Sequence, residues 1–247
     1  MNTQVTEFKS RKGEQGNVLF LILIAVALFA ALSYAVTQST RSGGGDASNE
    51  KSLVSSAAMT QYPASLKTAI VRMMVSNGVD ADSLSFDPPS DFSSLTDDTL
   101  RKANVFYPNL GGGATYVKPP SDIMATGSGE WVFNARNRVW NIGSNTADAT
   151  GVDIIAILPG ITKSVCDKVH SQLGMGAVPA LTNVNIADPK AVKSPNTTTI
   201  TYGASAIIGS DSVSTHVLNG QPQGCFTMGT NPGGSTRYIY YHVLLER

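Results

Sequence analysis

The chain has 247 residues, 18 Lys+Arg against 18 Asp+Glu, and two Cys. That length is enough for one domain plus an appendage, with a sizeable core. Balanced charge argues against a nucleic-acid partner, two cysteines exclude a disulfide-framework miniprotein or a cysteine-rich zinc module, and 42% hydrophobic residues exclude a disordered chain.

In chain order, the first predicted element is the most apolar. Val18 to Val36 reads VLFLILIAVALFAALSYAV, nineteen residues without a charge. As a helix it would be about 28 Å long, close to the ~30 Å of a bilayer's hydrocarbon layer. It is apolar on every face, which predicts a membrane span and not a one-sided core helix. Lys9, Arg11 and Lys12 precede it, offset by Glu7 and Glu14, and Arg41 alone follows before Gly43-Gly44-Gly45. That bias predicts a cytoplasmic N-terminal side and export of the remainder. Three export readings fit. A secretory signal would use Ser33-Tyr34-Ala35 as its cleavage triplet. A signal anchor would stay uncut. The third reading turns on Gly13-Glu14-Gln15-Gly16-Asn17, a polar leader that ends in Gly just before the apolar run.

That junction resembles type IV prepilins and pseudopilins. The resemblance rests on the first 45 residues and extends to the rest only in architecture. It implies a leader over 1–16, a membrane or filament-core helix over 17–42 and an exported head over 46–247. It also implies cleavage by a prepilin peptidase between Gly16 and Asn17, with methylation of the new N-terminus. The implied location is a bacterial inner membrane, single-pass, with the head periplasmic or on an extracellular filament. The implied partners are that membrane, the peptidase and other pilin-like subunits. Two positions depart from the family pattern: Asn17 stands where Phe or Met is usual, and Leu21 where most members carry Glu. The missing carboxylate fits a minor, tip-located or divergent subunit.

Three consecutive glycines predict a helix break at 43–45, with Asp46, Ser48 or Asn49 capping the next helix. From Ala47 to Ser76, apolar residues recur at three- and four-residue steps, with Pro63 as a kink or split and Gly78 as the stop. Met59, Met73 and Met74 read as core filler. Asp87-Pro88-Pro89-Ser90 and Gly111-Gly112-Gly113 read as loops. Glu130 to Gly143 reads as a hairpin turning at Asn134 to Asn137, and Val152 to Leu158 as a buried strand stopped by Pro159-Gly160. Ile161 to Leu173 is a helix ending at Gly174. Thr198 to Tyr202 and Arg237 to Leu245 are strands. In the last, alternation puts Tyr238, Tyr240 and His242 on one face and Ile239, Tyr241, Val243 and Leu245 on the core face. The expected class is α+β: a long helix, then a mostly antiparallel sheet with one inserted helix.

Cys166 and Cys225 both follow the span, on the exported side where thiols oxidise, which predicts a disulfide between them. Many pilins also carry one C-terminal disulfide. His170 lies four residues after Cys166, yet a bonded cysteine is no nucleophile, so a surface or packing role is expected. His216 and His242 lack metal-ligand spacing, and HExxH, CxxC, GxSxG and P-loop patterns are absent. Gly111–Gly113 as an anion nest and Asp80, Asp82, Asp97 and Asp98 as calcium ligands are the weaker chemical readings. No cofactor is expected. The sequence therefore points to a non-enzymatic pilin-like subunit, with an extracytoplasmic binding domain that does not polymerise as the alternative.

Overall fold

The computed structural model describes residues 15–144, 152–182, 184, 186, 207–209 and 216–247. The chain divides into two compact units, Met1–Glu50 and Lys51–Arg247. Helix α1, Gln15–Asn77, contributes to both. Its backbone is helical through Gly43–Gly45, so the expected break is absent and Asp46, Ser48 and Asn49 are not caps. Three glycines cost about 3 kcal/mol against alanine. A break would cost more, because it creates two new helix ends, each with four unsatisfied backbone groups. Pro63 likewise leaves α1 undivided. It is buried, and Met59, Leu66, Ile70 and Met73 clamp the turns on either side into the core. The helix stops where expected: Gly78 takes φ +63°, and the Val79 N–H donates to the Met73 carbonyl at 3.5 Å.

The second unit is built on a five-stranded sheet of β1 (Val132–Val139), β2 (Asp153–Ile161), β3 (Ile207–Ile208), β4 (Gln223–Thr230) and β5 (Thr236–Leu245). The order is β3-β1-β2-β5-β4, and all pairings are antiparallel except β1–β3. With α1, α2 (Asp98–Ala103) and α3 (Lys163–Gln172), the fold is α+β, as expected.

The expected hairpin over 130–143 is instead one strand. The run from Asn134 to Asn137 forms a bulge against β2, where the register shifts. Asn134 Oδ1 accepts from Asn137 Nδ2 at 2.9 Å, so turn-forming residues satisfy one another inside a strand. Strand β2 also runs past its expected stop. Pro159 stays in register with Ile239, and Gly160, at φ +85°, takes up a second bulge before Ile161 pairs with Tyr238. The Asp87–Ser90 loop continues into a 3₁₀ turn over Pro89–Ser94. Gly111–Gly113 forms a loop, but a packed one. A Cβ on Gly112 would lie 2.7 Å from Met73 Sδ, and the Gly112 and Gly113 N–H groups donate to the carbonyls of Asn104 and Tyr107. Those amides are therefore not turned toward an anion. The expected strand Thr198–Tyr202 lies outside the described residues.

Both faces of the sheet are buried. On one, Met59, Leu66, Ile70 and Met73 of α1 pack with Trp131, Phe133, Leu158 and Tyr240. On the other, Ile155, Ile157, Phe226, Ile239, Tyr241 and Val243 pack under Leu181, Val184 and Leu218. The Tyr240/His242 face of β5 is therefore core as well: Tyr240 is fully buried and His242 is 9% exposed. Of the methionines, Met59 and Met73 are buried and Met74 packs against the cluster.

Two buried titratable groups bound the strands. Asp153 is fully enclosed and accepts from the Val139 N–H at 2.8 Å and the Arg247 N–H at 3.2 Å. Burial pushes its carboxyl up to about 6, partly offset by those donors. Burial pushes His242 down to about 4, with the Lys67 charge adding to it. Between about pH 4 and 6 the folded Asp153 holds a proton that the unfolded chain has lost, so its contribution falls as pH rises. Between about pH 4 and 6.5 the unfolded chain protonates His242 and the folded chain does not, so that contribution rises. Each span is worth about 3 kcal/mol, and the two oppose each other. Urea denaturation across this range should show Asp153→Asn gaining stability with rising pH and His242→Gln losing it. Parallel profiles for the two variants would contradict this assignment.

Candidate functional site

Two features carry functional information, one in each unit. In the first, Leu19–Thr37 is a helix long and apolar enough to cross a membrane, and none of it is buried. Leu19, Phe20, Leu23, Leu28 and Phe29 are all more than 60% exposed. Covering the large apolar side chains from Leu19 to Val36 is worth on the order of 20 kcal/mol. Water is the wrong solvent for this surface. The Thr37 hydroxyl donates back to the Ser33 carbonyl at 2.6 Å, so the polar end of the span is satisfied inside the helix. Gly16 and Asn17 lie in the first turn of α1, immediately before the span. Residues 1–14 of the expected leader over 1–16 lie outside the described residues. Ser33-Tyr34-Ala35 is mid-helix.

In the second unit, Cys166 of α3 and Cys225 of β4 form the expected disulfide, with Cα atoms 5.6 Å apart. It ties α3 to β4, the edge strand beside the C-terminal β5. Both residues are fully buried. The closed loop, 59 residues apart in sequence, contributes about 4 kcal/mol in the chain-entropy account.

His170, one helical turn after Cys166, has a role that spacing alone did not show. It is 2% exposed. Its Nδ1 lies 2.8 Å from the Gly176 carbonyl, and its Nε2 lies 3.0 Å from both the N–H and the carbonyl of Cys225; with the proton on Nδ1, Nδ1–H donates to Gly176 and Nε2 accepts from the Cys225 N–H. That N–H belongs to the edge strand β4 and faces away from β5. Further along, Pro179 and Leu181 continue the cover: the Thr227 N–H donates to Pro179 at 2.8 Å and the Leu181 N–H to Thr227 at 2.9 Å. The edge is sealed by protein groups.

Three of the four aspartates have structural partners. Asp97 Oδ1 accepts from the Leu100 N–H at 2.9 Å as the α2 N-cap, Asp98 pairs with Arg101 at 3.1 Å, and Asp82 pairs with Arg247 at 2.6 Å. Among the described residues no three His, Cys, Asp or Glu side chains gather at metal-binding distance. Tyr240 Oη and His242 Nδ1 are 3.0 Å apart, and Tyr240 donates to Gln223 Oε1 at 2.9 Å. This is a polar seam in the core. His216 opens a short 3₁₀ turn, His216–Leu218.

No protein-family model matches the chain, and no curated protein or solved structure matches it significantly.

If His170 seals β4, His170→Ala should lower unfolding free energy by about 2 kcal/mol, because it strands a buried N–H and a carbonyl. Reducing the disulfide should remove about 4 kcal/mol. Urea denaturation of the oxidised variant checks the first, and a stability equal to that of the parent protein would refute the sealing role.

Proposed function

We propose that the chain is a non-enzymatic structural subunit of the type IV pilin-like kind, minor or divergent, serving a pilus or a type II secretion-like system. The observation that carries this reading is the fully exposed apolar helix Leu19–Thr37 beginning just after Gly16. In a bilayer that surface is solvated by lipid; in a filament it is solvated by the same helix of neighbouring copies. Either environment covers this apolar surface. Cleavage after Gly16 would leave Asn17 as the first residue, on the cytoplasmic side, with the span following at once. Leu21, where the family usually has Glu, supplies no carboxylate to pair with a neighbouring N-terminus. That absence favours a minor position in the assembly.

Other features agree with export. A buried disulfide suits an oxidising compartment, and the balanced charge of the chain suits a head held by packing rather than by an electrostatic partner. An exported binding domain on an uncut anchor would share these features. Processing separates the two. In the native host, Gly16→Trp should abolish cleavage and leave a precursor longer by the leader on immunoblots. Unchanged processing of this variant would sink the pilin-like reading and leave the anchored binding domain.

A further inference from the structure

Between the loop 86–91, the segment 116–118 and the residues leading into β1 lies a cavity of about 430 Å³, within the size range of small-molecule sites. Its floor is aromatic. Phe86, Trp131 and Phe133 are each less than 5% exposed, and the two phenylalanine rings stack at 4.8 Å and 10°. Tyr116 stands beside them, half-buried and held edge-on against Phe106 at 5.2 Å. Pro88 and Pro89 form a wall whose φ angles are fixed by their rings. These walls are pre-organised, so a ligand would not have to order them.

The charges at the mouth are unequal: Asp87, Asp91 and Glu130 face a single Lys118. Among the described residues, none of these four takes part in a salt bridge. The partners of the aspartates are neutral hydroxyls. Ser85 Oγ donates to Asp87 Oδ2, and Ser90 Oγ donates to Asp91 Oδ1 at 3.0 Å. Those bonds orient the carboxylates and leave their charge in place. Burial raises the Tyr116 phenol pKa, and the nearby Glu130 and Asp91 charges raise it further, so the negative field reaches the pocket wall.

We propose that this cavity binds a small organic cation, an ammonium or guanidinium carried on an apolar body. The apolar body takes the aromatic and proline surface. The charge takes the carboxylates and the negative faces of the rings. An anion would meet an excess of negative charge, and a neutral ligand would gain only the floor. The pocket lies wholly within the Lys51–Arg247 unit and is independent of the processing and assembly proposed above.

The test uses the full chain in detergent, titrated by calorimetry with phenethylammonium, phenethyl alcohol and phenylacetate, which share a ring and differ in charge. Phenethylammonium should bind saturably and the other two should not. Added salt should weaken the binding, because the mouth is open to solvent. The double variant Asp91→Asn/Glu130→Gln, with both changes at the rim and none in the floor, should weaken it by about tenfold. Equal affinity for the three probes, cation binding unchanged in the double variant, or no saturable binding would each overturn the proposal.

Discussion

The Lys51–Arg247 unit depends on a sheet whose two central strands are covered on both faces. Strand β2 is buried along Asp153–Leu158, and Ile239 to Leu244 of β5 lie against it with no polar face turned outward. A sheet of this kind needs two lids. The distal part of α1 and α3 supply one, and the segments around Leu181 and Leu218 supply the other. The open edge then becomes the weak point, and α3 closes it with a disulfide and a histidine on the same β4 residue. Covalent and hydrogen-bonded restraint converge on Cys225 because an unsealed edge next to a core strand invites pairing with another chain.

Local patterns that agreed with tertiary structure could be read directly. The nineteen-residue apolar run, the Gly78 helix stop and the amphipathic α3 each depend on one short segment, and the cysteine pair on there being only two thiols in the chain; each stands in the fold as expected. The departures share one cause: residues with breaker propensity are overruled by their neighbours in the fold. Gly43–Gly45 lies within a helix that continues on both sides. Asn134 to Asn137 has turn chemistry, but β2 lies alongside and turns it into a bulge. Pro159-Gly160 should end a strand, yet β5 holds it in register. Alternation in β5 did show two faces, but not that both are core, because the lid residues come from distant segments. The role of His170 was similarly hidden. Its spacing from Cys166 was visible, but its acceptor role depends on β4, 55 residues away.

The first unit poses a simpler physical problem. Among the described residues its apolar helix Leu19–Thr37 is not buried, and the proposed functions differ only in what covers it: lipid alone, or lipid followed by other subunits. A leader removed at Gly16 links the helix to assembly, whereas an intact leader or a cut after Ala35 does not. The most direct measurement is the intact mass of the protein purified from its native cell. A mass starting at Asn17, with or without one added methyl group, is the result this account predicts; a mass starting at Met1 or at Val36 would contradict it.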